Sequence, residues 1–406
     1  MGERWLQEIA QCARCGKCMS VCPVYIETTS EAMVARGRIA LLEALAKNEV
    51  TPSPRLLRYL NSCVKCLRCQ SVCPSGVRFD FIVGEGRRRV ARTVSLALAA
   101  RIGFRAVLPH RRLFDLFMGL ARSFWGRPGP AEEPLRHLPL ALLGPRPLPR
   151  LARRTALARF RRHRPQKAPK ERVGFFLGCL INYVYPEVAE AVARVLESAG
   201  VEVVVPRDQL CCGAPTLGVG DEEATKTLAA RNVRAFEGLD RVVVACASCS
   251  STLKSEYEPI LSRRGAEFSR KVIPFAKLAA DLGLDSALVR RPTTVTWHDP
   301  CHLRSVQGVW REPRRLLAAA ADYREMDLAD RCCGQGGVFA YFYPDLSGKI
   351  AAHKVESIGR TEADVVATSC PGCMMQLASH LERAGSPKKV RHLAEIIAEA
   401  LPDQRA

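Results

Sequence analysis

From about residue 172 onward, short apolar runs alternate with stretches in which apolar residues recur every three or four positions. VGFFLGC (173–179), VEVVVP (201–206), RVVVAC (241–246), TVTWHDPC (294–301) and DVVATSC (364–370) read as strands. PEVAEAVARVLESAG and EEATKTLAARNVRAFEGL read as helices between them. That alternation predicts α/β units around parallel strands. The first 85 residues have a different grain. GRIALLEALAKN (37–48) has helical periodicity, and SPRLLRYLNSC offers Ser53 as an N-cap with Pro54 at the first helical position. Farther along, HRRLFDLFMGLARSFWG (110–126) puts Leu113, Phe117, Leu120 and Phe124 on one helical face, flanked by Arg111, Arg112 and Arg122.

Composition adds limits. With 406 residues the chain is too long for one ordinary domain, and 48% hydrophobic against 25% charged residues is globular rather than disordered. Charges interrupt every apolar run long enough to span a bilayer. MGERWLQEIAQC lacks the apolar core of a secretory signal, and Leu6 stands where a myristoylation motif needs Ser or Thr. The expectation is therefore a cytoplasmic protein. Basic residues outnumber acidic ones 61 to 41. Between Gly86 and Arg172 there are 22 Lys/Arg and four Asp/Glu, a local balance of +18, along with the proline-rich PGPAEEP and GPRPLPR and the run RRTALARFRRHRPQKAPKER. Residues 86–171 thus read as a basic, partly helical connector. Its amphipathic helix either packs on a neighbouring domain or subunit, or lies peripherally on an anionic membrane. Aromatic interleaving is sparse and nucleic-acid motifs are missing, so nucleic acid is not the expected partner.

Eighteen cysteines in a chain without a signal point to metal or redox chemistry rather than disulfides. Cys12, Cys15, Cys18 and Cys22 follow C-x2-C-x2-C-x3-C with Pro23 next; Cys63, Cys66, Cys69 and Cys73 repeat it with Pro74 next. This is the bacterial ferredoxin run, twice. Three thiolates on a tight loop grip three corners of a cubane, and the fourth, turned away by its proline, reaches the other cluster. One 4Fe–4S cluster is expected on Cys12, Cys15, Cys18 and Cys73, the second on Cys63, Cys66, Cys69 and Cys22. Zinc sites use spaced pairs instead. The helical insert between the runs does not fit a compact βαβ ferredoxin. Residues 1–85 resemble the α-helical ferredoxin domain of respiratory dehydrogenase iron–sulfur subunits.

The other ten cysteines expose a repeat. Cys179, Cys211-Cys212-Gly213 and Cys246-x2-Cys249 form one set; Cys301, Cys332-Cys333-Gly334 and Cys370-x2-Cys373 form the other. The spacing predicts two duplicated α/β units, 172–291 and 292–406. Ligands at the carboxyl ends of parallel strands would converge on one crevice. Five thiolates exceed the four that zinc takes. Adjacent cysteines can serve different irons, and Gly213 and Gly334 would let the backbone approach the cluster. Zinc on four of the five, or a reducible disulfide within each CxxC, is the alternative. His298 and His302 bracket Cys301, and each either ligates the metal, hydrogen-bonds a sulfur and tunes its potential, or satisfies backbone groups; Asp299 reads as a turn residue. Neither a Ser–His–Asp set, a Rossmann glycine motif nor a P-loop is found, GCLINY and CCGQGG being short glycine turns, so catalytic residues are not assigned.

Two C-x2-C-x2-C-x3-C-P runs followed by two Cys–CCG–CxxC sets resemble the iron–sulfur subunit of glycolate oxidase. Related families are the iron–sulfur subunits of lactate dehydrogenase complexes, the electron-relay subunit of anaerobic glycerol-3-phosphate dehydrogenase, and heterodisulfide reductase subunits. The likeness covers about residues 10–85 and 172–400 and extends to HDPCH. ARGRIALLEAL and CPSGVRF favour the glycolate/lactate branch; FFLGCLINYVYP and CCGAP look closer to the glycerol-3-phosphate branch. The resemblance implies an electron-transfer subunit of a membrane-associated 2-hydroxy acid dehydrogenase. It would pass electrons from an FAD-containing partner toward quinone and be inactive alone. A glycerol-3-phosphate relay or a heterodisulfide-reductase-like catalytic subunit is the alternative. In the heterodisulfide reductase relatives each complete Cys–CCG–CxxC set holds a noncubane 4Fe–4S cluster, which implies one or two more clusters here, with zinc an open occupant of the first set.

Overall fold

The computed structural model describes residues 2–94, 102–125, 135–138, 146–161 and 171–402. PGPAEEP, the run from Arg162 to Lys170 and the side chain of Phe124 lie outside the described residues.

Residues 2–94 are helical. The longer pieces are Gly2–Ala10, Ala35–Ala46, Pro54–Asn61 and Phe79–Thr93. Trp5, Ile39, Leu42, Leu56, Leu60, Phe79, Ile82, Val83 and Val90 form their common core. Burial of each such side chain contributes roughly 1.5–3 kcal/mol. Ser53 caps its helix as expected, its Oγ accepting from Leu56 N at 3.2 Å. The other end of that helix is held by two buried guanidinium groups: Arg38 donates to Tyr59 O at 2.8 Å, and Arg87 to Leu60 O at 2.8 Å and Cys63 O at 2.9 Å. Cations at C-terminal helix carbonyls suit the helix dipole. Both arginines thereby fix the entrance to the second cysteine run.

The helix Phe79–Thr93 passes straight through position 86, where the charge pattern places the start of the connector. Its arginines are committed rather than free: Arg87 is buried, Arg88 and Arg89 pair with Glu85, and Arg89 lies over the Trp5 ring. Next comes the helix Arg111–Trp125, which docks on the following unit. Phe114 meets Tyr183 edge-on at 5.2 Å, and Arg111 donates to Gln209 O. The packed side is that of Phe114 and the buried Ala121, whereas Leu113, Leu116, Phe117 and Leu120 remain about half exposed. Strands β1 (Leu135–Leu138) and β2 (Arg146–Pro149) then pair antiparallel.

The C-terminal half holds two four-stranded parallel sheets. The first contains β3 (Glu171–Phe176), β4 (Val201–Val204), β5 (Val242–Val244) and β6 (Val272–Pro274), ordered β4-β3-β5-β6. The second contains β7 (Thr294–Trp297), β8 (Asp322–Tyr323), β9 (Val365–Thr368) and β10 (Lys389–His392), ordered β10-β9-β7-β8. The first sheet has the order 2-1-3-4 counted within its unit, and the second, read from its other edge, has 2-1-3-4 as well, so the cysteine repeat is a repeat of topology. In each sheet the direction of winding reverses between the first and third strands, which is where crevices open at the carboxyl ends of parallel strands. Cys179 and Cys246 follow β3 and β5; Cys301 and Cys370 follow β7 and β9.

Candidate metal centres

The two N-terminal cysteine loops share one backbone pattern. Arg14 and Lys65, each two residues after the first cysteine, have φ of 52° and 53°; Gly16 and Leu67, each one after the second, have 82° and 58°. A side chain in left-handed conformation costs roughly 1–2 kcal/mol, and such strain persists where the surroundings impose it. Here it curls the loop around its sulfurs, and Lys65 N points at Cys63 Sγ at 3.3 Å. Cys12, Cys15, Cys18 and Cys73 line a single pocket with Arg36, Pro74 and the neighbouring Cys69. Cys22 and Cys69 both lie within electrostatic reach of Cys63, and Cys66 within reach of Cys22 and Cys69. Burial pushes the thiols of Cys18, Cys22, Cys66 and Cys69 up. Thiolates so enclosed need a cation among them, and a bound metal deprotonates its thiols outright. The donor set therefore fits iron–sulfur clusters.

All ten remaining cysteines carry free thiols, and they lie within side-chain interaction range of one another in one unbroken series. Cys179 meets Cys211, Cys211 meets Cys212, Cys212 meets Cys249, and Cys249 meets Cys246. Cys246 then crosses to Cys370 of the other unit. From there the line runs through Cys373, Cys333 and Cys332 to Cys301, with Cys333 and Cys373 sulfurs 3.3 Å apart. Cys66 of the helical module lies within electrostatic reach of both Cys332 and Cys301. Gly213 and Gly334 have φ of 91° and 86°, but a Cβ there would strike Thr225 Cγ2 or Ser347 O, not sulfur. These glycines serve the sharp turn and its packing on the helices Glu222–Ala235 and Pro344–Gly359.

The two histidines of WHDPCH behave differently. His302 bonds to Ser248 Oγ at 3.1 Å and to Lys65 O at 2.9 Å, joining three modules. His298 is fully buried and neither ring nitrogen has a hydrogen-bond partner among the described residues. A ring nitrogen of His298 and the sulfurs of Cys333 and Cys373 all lie within 4.8 Å of one another. Burial pushes its pKa down to about 3, so the ring is neutral. Asp299 is more than a turn residue. It accepts from Trp297 Nε1 at 2.7 Å and pairs with Arg304 and Arg314 at 2.6 and 2.9 Å, which hold its carboxyl below the usual range despite its burial.

Further contacts fasten the modules. Lys65 pairs with Glu256, Arg68 with Asp330 at 2.8 Å, and His392 reaches Ala245 O at 2.7 Å. Ser248 Oγ lies 3.5 Å from Cys370 Sγ, so the CxxC loop of one unit touches the CxxC loop of the other. Sequence reasoning missed Ser248, Arg38, Arg87 and the buried Lys354. Ser248 could have been flagged by its place inside CASC; Lys354 carries no local signal. Among the described residues, no helix is long and apolar enough to cross a membrane.

Comparison with known proteins agrees with this layout. Residues 8–77 match the family described as 4Fe-4S dicluster domain, and residues 173–254 and 295–378 each match the cysteine-rich domain family. The chain is 34% identical over 423 residues to the "Probable glycolate oxidase iron-sulfur subunit" of Bacillus subtilis, covering 97% of this chain and 94% of that one. It is 29% identical to the glycolate oxidase iron-sulfur subunit of Escherichia coli (96% and 93% covered). It is also 30% identical to a fumarate reductase (CoM/CoB) subunit of Methanothermobacter marburgensis (98% and 73% covered).

Proposed function

The chain belongs to the family of glycolate oxidase iron–sulfur subunits, and from that premise we propose that it relays electrons in a 2-hydroxy acid (glycolate or lactate) dehydrogenase complex. The donor is an FAD-containing subunit and the final acceptor a quinone. Residues 1–85 serve as the two-cluster module, 86–171 as the connector, and 172–291 and 292–406 as the two cysteine-rich units. Cys12, Cys15, Cys18 and Cys73 hold one cubane and Cys63, Cys66, Cys69 and Cys22 the other. Cys179, Cys211, Cys212, Cys246 and Cys249 hold a third cluster, and Cys301, Cys332, Cys333, Cys370 and Cys373 a fourth.

The observation that carries this reading is the unbroken thiol series from Cys179 to Cys301 with Cys66 beside its end. Iron–sulfur clusters, when bound, supply one-electron transfer. The chain contributes closely spaced thiolates that are buried or half-buried, apart from the exposed Cys15. Oxidising a carbon that bears a hydroxyl needs a hydride acceptor, which must come from another subunit. The test is reconstitution. The pure iron-loaded chain should leave glycolate and lactate untouched, and should restore dye or quinone reduction when the flavoprotein is added. Hydroxy-acid oxidation by the chain alone, free of flavin, would overturn the relay.

Peripheral contact with the inner face of the membrane is part of the proposal. Leu113, Leu116, Phe117 and Leu120 form an exposed apolar strip beside the exposed Arg112. Such a helix binds anionic lipid through buried apolar area plus charge. Vesicle binding should weaken sharply between 0.1 M and 1 M salt, where the Debye length falls from about 10 Å to about 3 Å. The double change Leu116→Glu, Phe117→Glu should abolish it. Salt-insensitive binding, or binding unaffected by the double change, counts against this helix.

A further inference from the structure

The two cysteine-rich units repeat each other in topology and thiol spacing, yet their centres do not have the same neighbours. Three residues before Cys301 stands His298; three residues before Cys179 stands Phe176. The Phe176 ring and Cys249 Sγ flank the same point, Phe176 Cε1 lying 3.4 Å and the sulfur 3.1 Å from where a Cβ on Gly178 would fall. His298 stands by Cys373, the repeat counterpart of Cys249, and by Cys333. An apolar ring in one unit is thus replaced by an imidazole in the other, at the same station beside the same CxxC sulfur.

That imidazole is otherwise unexplained. Leaving a buried donor unpaired is costly, and buried polar groups in folded proteins are nearly always paired. Both ring nitrogens of His298 lack a protein partner among the described residues, and Thr296 and Thr368 hydroxyl oxygens in the flanking strands β7 and β9 lack one too. A second asymmetry has the same sign. Helix Pro344–Gly359 sends the buried Lys354 to the carbonyls of Leu328 and Ala329, ahead of Cys332. The matching helix Glu222–Ala235 sends a neutral amide, Asn232, to Leu210 N and Cys211 O.

We propose that His298 donates its N–H to a cluster-binding sulfur of the Cys301/Cys332/Cys333/Cys370/Cys373 set, and that this makes the second centre more oxidising than its otherwise matched twin. Hydrogen bonds to the sulfurs of a cluster favour the reduced, more negative state and raise its potential. His298 is a positioning and tuning residue rather than a catalytic one. The consequence is a direction: electrons shared across Cys246 and Cys370 collect on the second centre, beside Cys66, instead of resting on the first.

The inference rests on the reading that both sets hold clusters, and the experiment separates the two. The full chain is purified anaerobically as wild type, His298→Phe and His298→Gln, with iron analysis and an electron-paramagnetic-resonance redox titration of each. The signal lost in Cys333→Ser identifies the second centre. His298→Phe, which copies the first unit, should keep its iron and shift that midpoint to more negative potential; His298→Gln, which retains an N–H, should recover part of the shift. Full iron with an unchanged midpoint in His298→Phe refutes the hydrogen bond. Loss of about four irons in both variants refutes it also, by making the ring an obligatory ligand. A wild-type chain with only about eight irons sinks the underlying cluster reading, whatever the variants do.

Discussion

Cys73→Ser is expected to empty the centre of Cys12, Cys15 and Cys18 while leaving the centre of its own sequence neighbours Cys63, Cys66 and Cys69 in place. Wild-type chain purified without oxygen should carry about sixteen irons at four per cluster, and the variant about four fewer. Cys73, four residues after Cys69, lies with Pro74 in the wall of the pocket that holds Cys12, Cys15 and Cys18, whereas Cys69, also at that wall, interacts most strongly with Cys63 and Cys22. Cys22, from the first run, reaches the other way, within electrostatic range of Cys63 and Cys69. Serine offers a hard, weakly acidic oxygen where a soft thiolate is wanted. Iron analysis with electron paramagnetic resonance decides the matter. Damage confined to the Cys63/Cys66/Cys69 signal would show that each run keeps its own fourth ligand.

The second large effect belongs to Arg87. Arg87→Met should destabilise the helical module by about 1–3 kcal/mol, since the part-buried Cys63 O loses its guanidinium donor while Leu60 O keeps only the Cys63 N–H at 3.4 Å. The guanidinium bridges Leu60 O and Cys63 O, tying a helix end to the first cysteine of the second run. Its helix also meets the first cysteine-rich unit at Gly220, where a Cβ would come within 2.9 Å of Arg87 O. Denaturant melts of the iron-loaded chain, followed by loss of cluster absorbance, should show the midpoint fall for Met and fall less for Arg87→Lys. A midpoint within error of wild type would mean that the carbonyls find other partners and that the anchoring argument is wrong.

That role was not visible beforehand. In the sequence Arg87, Arg88 and Arg89 look like the leading edge of a basic surface, because a run of three arginines is usually solvated. Only the fold shows the helix phase that points Arg87 inward at Leu60 and sets Arg88 and Arg89 against Glu85. Four of the five apolar runs were legible as strands because both faces of a central strand are buried, while VEVVVP forms the edge strand β4, in which only the alternate Val201 and Val203 are buried. Strands β6, β8 and β10 were not legible. They are two to four residues long and lie at a sheet edge, where Lys389, Arg391 and Asp322 are tolerated. Cysteine spacing revealed the sets, since metal ligands recur at fixed intervals. It was silent on how the sets meet, because the Cys246–Cys370 contact and the Lys65–His302 bond depend on module docking. The helical face at Leu113, Phe117 and Leu120 was located correctly in the chain, but the docked side proved to be that of Phe114 and Ala121, turned toward Tyr183.

The seam between the two cysteine-rich units bears on their descent. Two copies joined by duplication begin as equals, each sufficient for its own centre. Here Ser248 of the earlier copy touches Cys370 of the later one, His302 of the later copy leans on Ser248, and His392 closes on Ala245 just ahead of Cys246. Each copy has become part of the other's housing. Ser248 and His302 thus serve both units at once, and removing either unit would strip this wall from the cysteine set of the other.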